Sequence, residues 1–272
     1  MIQTPEIFGI LNITEDSFSD GGRFLAPEAA LAHARGLVAN GADVLDIGAA
    51  SSNPDAKPVA SNVEIARMAP VVAALKSEGA KISIDSFSPE VQRWALAQDA
   101  DYLNDIQGFP DEALYPALAA SRARLVIMHS VQTWGPATRA EVPPAEIFAR
   151  VSDFFERRIA ALTKAGIARE RLILDPGMGF FLGSNPDASF TMLCRLAELK
   201  RAFGLPLLVS VSRKSFLRKV TGRSAAQAGA ASLAAELFAI RQGADYIRTH
   251  DPGALKDAIL VGQALDRNHS VT

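Results

Sequence analysis

Short apolar runs and longer amphipathic stretches alternate from one end of this chain to the other, and that alternation limits the folds open to it. The runs occupy residues 7–12, 43–47, 81–85, 102–106, 125–129, 172–175, 207–212 and 246–250. Each is too short for a helix of ordinary length, and most are rich in Ile, Leu and Val. Several are continuously hydrophobic, as strands buried on both faces are. The intervening stretches carry apolar residues at helical spacing. The first opens at Ala26-Pro27-Glu28, repeats through Ala30, Leu31, Ala34, Leu37 and Val38, and stops at Asn40-Gly41. Helices are expected likewise over 61–76, 88–98, 111–119, 144–164, 186–202, 224–241 and 252–265. Ser88-Pro89-Glu90 and Asp251-Pro252 place a capping residue before proline, a helix-start pattern.

Eight strand–helix units in 272 residues predict an α/β fold of the (β/α)8 TIM-barrel type. A doubly wound open sheet is the alternative, but its usual complement of about five to seven strands leaves units over. No low-complexity linker divides the chain, so residues 1–272 are expected to form a single barrel domain. The longest non-helical connection, residues 130–143, is either a mobile loop over a site or an inert excursion.

Composition excludes several functions. Net charge is −2, so no global field favours nucleic acid. No window has the roughly 18 uncharged apolar residues that a membrane span needs. The N-terminus lacks the basic and apolar regions of a secretory signal. The single Cys194 precludes an intramolecular disulfide and is expected on the core face of a helix. A cytoplasmic protein is expected.

In such a barrel, chemistry sits at the carboxyl ends of the strands. Here the runs end in Asn12, Asp46, Asp85, Asn104-Asp105, His129, Asp175, Ser212-Arg213-Lys214, and Arg248 with His250. Helix capping accounts for some of these acids and amides. It does not call for Lys214, Arg248 or His250, because cations oppose a helix N-terminal dipole. Asp85, Asn104 and Asp175 could read the edge of a flat heterocycle bearing amino and ring N–H groups. Ile106, Met128 and Phe180 could cover its face. Lys214, Arg248 and His250 suit an anionic group, since barrels often hold phosphate on their last two strands. Asn12 offers a carbonyl oxygen fit for Mg2+ when phosphate and water supply the other ligands. The first run leads into a loop dense in hydroxyls and acids, FGILNITEDSFSDGG at 8–22. The residues alone thus reach a planar heterocycle, a phosphate-like group and a candidate metal, but no named reaction.

The motifs FGILNITEDSFSDGG, ISIDSF, YLNDI, DPGMGF, VSRKSF and IRTHD, in this order and spacing, resemble those of the dihydropteroate synthases, over residues 7–264. The resemblance implies a (β/α)8 fold, a homodimer, and a Mg2+-assisted transferase reaction in folate biosynthesis. In it, 6-hydroxymethyl-7,8-dihydropterin pyrophosphate and p-aminobenzoate give dihydropteroate and pyrophosphate. It places Asp85, Asn104, Met128, Asp175, Lys214 and Arg248 at the pterin. Asn12, Arg248 and His250 fall at the pyrophosphate, with Asn12 also at the metal. Phe18, Ser52, Phe180, Phe181, Ser212 and Lys214 fall around p-aminobenzoate. Asn12, Asp20, Lys214, Arg248 and His250 would carry catalysis, with Phe18 and Asp20 on a closing lid hinged at Gly21-Gly22. No macromolecular partner other than a second copy is implied.

Two blocks depart from the family pattern. Where the second loop commonly reads Gly-Glu-Ser-Thr-Arg-Pro-Gly, this chain has GAASSNPD, with Asn53 in place of an anion-binding arginine. Lys57 is a nearby cation that could stand in for it, although no motif marks it. Where the sixth loop commonly reads Asp-Pro-Gly-Phe-Gly-Phe-Gly-Lys, this chain has DPGMGFFLG, with a further bulky residue and no lysine. GFFLG, GAASSNPD and NDIQGFP resemble the sulfonamide-insensitive branch of the family. Phe181 is expected to narrow the p-aminobenzoate pocket against sulfonamides, or else simply to pack beneath its loop. Two other functions suit a pterin barrel: a pterin-binding protein without synthase activity, and a corrinoid-linked methyltetrahydrofolate methyltransferase. The hydroxyl-rich first loop and the Ser-Arg-Lys block argue against both.

Overall fold

A computed structural model describes residues 4–14, 26–132 and 135–269. Its strands are β1 (Glu6–Asn12), β2 (Val44–Gly48), β3 (Ile82–Asp85), β4 (Tyr102–Asp105), β5 (Arg124–Met128), β6 (Leu172–Asp175), β7 (Leu208–Val209) and β8 (Tyr246–Thr249). All pair in parallel, in the order β6-β5-β4-β3-β2-β1-β8-β7. Leu174 bridges Leu207, and the Leu174 amide donates to the Pro206 carbonyl at 2.9 Å, so β6 meets β7. The eight strands thus form the nearly closed (β/α)8 barrel that the alternation predicts.

Helices α1 (Ala26–Ala39), α2 (Ser61–Ser77), α3 (Pro89–Ala97), α4 (Tyr115–Ala120) and α5 (Pro144–Lys164) follow the first five strands. After β6 come α6 (Pro186–Cys194) and α7 (Leu196–Phe203), after β7 come α8 (Ser215–Thr221) and α9 (Gly229–Arg241), and α10 (Pro252–His269) follows β8. Local chemistry sets several starts: the Ser88 hydroxyl caps α3 and the Asn185 amide caps α6, each with proline in the first turn.

Four expectations differ from the structure. The helix over 186–202 is broken at Arg195 (φ −109°, ψ 11°) into α6 and α7. Cys194 is the last residue of α6, and the break leaves it exposed rather than in the core. The run 207–212 pairs as a strand only at Leu208–Val209, because the chain turns away through Ser210–Ser212 and adopts φ 58° at Arg213. That turn starts α8, a helix that the sequence pattern did not signal, and α9 begins at Gly229 rather than 224.

The barrel interior is layered. Phe8, Val44, Tyr102, Val126, Ile173, Leu208 and Tyr246, one from each of seven strands, form a buried apolar plug. Phe8 lies edge-on to Tyr102 at 5.0 Å and to Tyr246 at 5.6 Å. Side chains alternate along a strand, so residues two positions on share the inward face. Two residues beyond Val44, Tyr102, Val126, Ile173 and Tyr246 stand Asp46, Asn104, Met128, Asp175 and Arg248. A polar layer therefore rests directly on an apolar floor, at the carboxyl end where the loops emerge. Among the described residues no helix is long and apolar enough to cross a membrane.

Candidate active site

Arg248 organises the polar layer. Its Nε donates to Asp46 Oδ2, and its Nη2 donates to Asp85 Oδ2 at 2.6 Å. Asn104 Nδ2 donates to Asp46 Oδ2 at 3.4 Å. Asp46 is fully buried, yet among the described residues its Oδ1 accepts no hydrogen bond, and neither does the buried Oδ1 of Asn104. Two buried acceptors left without partners among the described residues favour a ligand that brings N–H donors. Burial pushes the Asp85 carboxyl up to about 7, against the pull of the Arg248 guanidinium. Burial likewise raises Asp175 to about 6, although the Gly177 amide donates to its Oδ1 at 2.8 Å. Lys214 is brought down to about 8 by burial and by Arg248, with Asp175 and Asp85 opposing. For Arg248 burial opposes the charge, but Asp46 and Asp85 outweigh it and hold the guanidinium protonated.

His250 stands beyond Arg248 on the same strand end. Its Nδ1 lies 3.0 Å from Ser212 Oγ, which also accepts from the His250 amide at 3.2 Å. Burial, then Arg213, Arg248 and Lys214, depress the imidazole to about 3, so it is neutral near pH 7. Ser212 is buried and engages His250 through both its amide and its ring.

That wall is apolar. Ile106, Met128, Ala137 and Phe181 form a buried cluster with Phe87 and Phe180 packed against it. Phe180 and Phe181 lie in a short 3-10 turn, Gly179–Leu182. The loop reaches this position through Gly177 (φ 77°), where a Cβ would come within 2.0 Å of the His129 carbonyl oxygen. The Phe181 carbonyl accepts from the Val131 amide at 3.0 Å, and Lys214 Nζ sits 5.2 Å from the Phe181 ring centre. The 130–143 connection is therefore a brace and not an excursion. Its Ala137 amide donates to the Ser52 carbonyl at 3.0 Å, and its Ala140 carbonyl accepts from the Ser184 amide at 2.8 Å. Arg139 of this connection pairs with Asp55 Oδ1 at 3.0 Å.

The structure brings together Asp85, Asn104, Met128, Asp175, Lys214, Arg248 and His250 at one mouth, with Phe180 and Phe181 beside them and Ser52 tied in by its backbone. Asn12 ends β1 with an exposed side chain. Phe18, Asp20, Gly21, Gly22 and Trp134 lie outside the described residues. Two strand-end residues have other work. Asp105 accepts from the amides of Gln107 and Phe109 at 2.8 and 2.9 Å, which is loop capping. His129 is buried edge-on to Phe154, 5.3 Å away, and burial lowers it to about 4. Sequence reasoning noted Asp46 only as a strand end. Its signal was a carboxylate inside an otherwise apolar run, VLDIG. Ser215, whose hydroxyl lies against Gly179, went unremarked.

Among the described residues no group of three or more His, Cys, Asp or Glu could hold a metal. Asn12 offers one neutral oxygen at the mouth, which suits Mg2+ only as an additional ligand to an ion held by phosphate and water.

The family model described as "Pterin binding enzyme" matches residues 8–250. The chain belongs to this family of pterin-binding enzymes, the dihydropteroate synthases among them. Dihydropteroate synthase type-2 of Escherichia coli is 60% identical over 259 residues, covering 95% of each chain. Dihydropteroate synthase type-3 of Escherichia coli is 54% identical, covering 96% of this chain and 99% of that one. A structure of the Xanthomonas albilineans dihydropteroate synthase with 4-aminobenzoic acid superposes with TM-score 0.89 at 38% identity, covering 97% of this chain and 94% of the other. Of the motifs that carry the resemblance, ISIDSF, YLNDI, DPGMGF, VSRKSF and IRTHD lie at or just beyond the carboxyl ends of β3, β4, β6, β7 and β8.

Proposed function

We propose that this transferase condenses 6-hydroxymethyl-7,8-dihydropterin pyrophosphate with p-aminobenzoate, forming dihydropteroate and pyrophosphate in folate biosynthesis. The observation that carries the reading is the acceptor layer of Asp85, Asn104 and Asp175 beneath two cations, Lys214 and Arg248. A pterin's amino and ring N–H groups match the carboxylates and the unused Asn104 Oδ1. Lys214 donates to an acceptor on the ring, and Met128 and Ile106 cover the ring's face.

The chemistry follows from charge. Pyrophosphate leaves readily only when its developing charge meets donors already in place. Arg248 and neutral His250 supply them, the latter as an N–H donor from the ring nitrogen that Ser212 does not engage. The methylene joined to the electron-rich pterin tolerates positive charge, so departure runs ahead of attack. The methylene–oxygen bond breaks first, its electron pair leaving with pyrophosphate; the aryl amine's lone pair then bonds to the held carbon, and the amine proton passes to solvent. Asp20 stabilises the cation, and Phe18 closes over it. Asn12 would contribute its carbonyl oxygen to a Mg2+ ion, which when bound would offset charge on the leaving group. The enzyme works as a homodimer in the cytoplasm, each copy being one barrel domain.

Phe181 gives the site its selectivity. It is 4% exposed, fixed by its backbone to Val131 and by its ring to Lys214. A wall so held accepts p-aminobenzoate and rejects the bulkier sulfonamide. An overlap of about one methylene costs roughly 1–3 kcal/mol, a factor of about ten to a hundred in affinity. The test is p-aminobenzoate-dependent release of pyrophosphate from the pterin pyrophosphate with Mg2+, in wild type and in a chain lacking Phe181. Turnover in both, with sulfonamide inhibition strengthened about tenfold or more by the deletion, supports the reading. No p-aminobenzoate-dependent release would leave a pterin binder or a methyltransferase, and unchanged inhibition would leave Phe181 as packing alone.

A further inference from the structure

Asn53 stands where the family pattern has a cation, and the structure offers a replacement on a different element. A cleft of about 820 Å³ opens beside the mouth, lined by Asn53, Lys57, Arg67, Arg139, Phe180 and Arg218 among others. Three of its four cations are accounted for. Arg67 Nη1 donates to the Ala49 carbonyl at 3.1 Å, and Arg139 pairs with Asp55 at 3.0 Å. Lys57 is exposed on the loop, where water solvates its ammonium. Arg218 differs. It is half-buried on α8, its Nε is buried with no hydrogen-bond partner, and it makes no side-chain hydrogen bond or ion pair among the described residues. A desolvated guanidinium N–H is costly unless an acceptor meets it, and a carboxylate is its best-matched acceptor.

Position adds a second argument. Lys214 immediately precedes α8, and Arg218 lies four residues on, its amide bonded to the Lys214 carbonyl at 3.3 Å. Four helical residues advance about 6 Å. That is comparable to the span from amine to carboxyl across a para-substituted benzene ring. Ser215, three residues before Arg218 on the same helix face, lines with Phe180 a smaller adjoining cavity of about 350 Å³. Phe180 borders both spaces, so an aryl ring held along Phe180, with its amine toward the pterin methylene near Lys214, directs its carboxylate toward Arg218.

We propose that Arg218 binds the carboxylate of the aryl amine substrate and supplies the cation that Asn53 does not. This rests on the synthase reading above. The test compares p-aminobenzoate with the neutral 4-aminobenzamide in wild type, R218M, R218K and R139M, reading kcat and KM for each amine and KM for the pterin pyrophosphate. Comparing the ratio of kcat/KM for acid over amide between enzymes cancels the intrinsic reactivity of the two amines. R218M is expected to raise KM for the acid about tenfold, lower the ratio by the same factor, and leave the pterin KM within about twofold. R218K restores part of the ratio, and R139M keeps it. A ratio unchanged in folded R218M, or one that collapses in R139M instead, overturns the assignment. Wild type that turns over neither amine removes the synthase reading, and this proposal falls with it.

Discussion

Replacing Asp46 with asparagine tests which carboxylate holds Arg248 in place, the fully buried Asp46 or Asp85, the residue that reads the ligand. Asp46 is fully buried and Arg248 13% exposed, whereas Asp85 is 22% exposed. Removing one partner of a buried ion pair costs roughly 3–5 kcal/mol. Arg248 keeps Asp85 and the new amide still fills the space, so D46N is expected at or just below the lower end of that range, at about 2–3 kcal/mol. For a chain of this size about 1 kcal/mol moves the melting temperature by about 2–4 °C, so D46N should melt about 5–10 °C lower. D85N should cost about 1 kcal/mol or less, because burial already favours the neutral carboxyl there. Activity should follow the reverse order, with D85N losing more kcat/KM for the pterin substrate than D46N. Differential scanning calorimetry of both variants, with initial rates, is the assay. D46N melting within about 2 °C of wild type, or below it by less than D85N does, would refute the reasoning.

Two further outcomes follow from the same geometry. Burial raises the folded Asp85 carboxyl from an ordinary 3.8 to about 7, so between those values the folded state holds a proton that the unfolded state has lost. Its contribution to stability is complete below about pH 4 and is lost as pH rises through about 7. The urea midpoint of wild type minus that of D85N should therefore fall between pH 5 and 8. A flat or rising difference contradicts the burial. The histidines oppose this trend at lower pH and cancel in the difference, whereas Lys214, which Asp85 itself influences, acts above about pH 8, beyond the window compared. G177A should yield little folded protein, because its Cβ would meet the His129 carbonyl 2.0 Å away at φ 77°. A soluble G177A with normal turnover would show that the sixth loop is softer than its packing indicates.

The alternation of apolar runs and amphipathic stretches was enough to read the barrel, because strands buried on both faces and helices buried on one have distinct periodicities. The site was legible for a related reason. Asp85, Asn104, Asp175 and Arg248 interrupt apolar strands at the end where loops emerge, and a charge there has no packing role. What escaped was set by contacts between distant segments. The break at Arg195 lies in the crossing from β6 to β7, and the helix at Ser215–Thr221 follows the turn by which the chain leaves β7. Asp105 and His129 look in sequence like Asp85, yet they turn away from the mouth, because facing is decided by strand register. Arg218 was invisible for the same reason, since only the fold brings α8 beside the second loop.

The acceptor layer, on this reading, is a pterin site that Arg248 occupies until substrate arrives. A crystal structure with 6-hydroxymethylpterin monophosphate tests it most directly. The account predicts the pterin edge on Asp85, Asn104 and Asp175, with Arg248 released from Asp85 onto the ring face and the phosphate, and still bonded to Asp46. A pterin bound elsewhere, or an Arg248–Asp85 pair intact beneath it, would contradict the account.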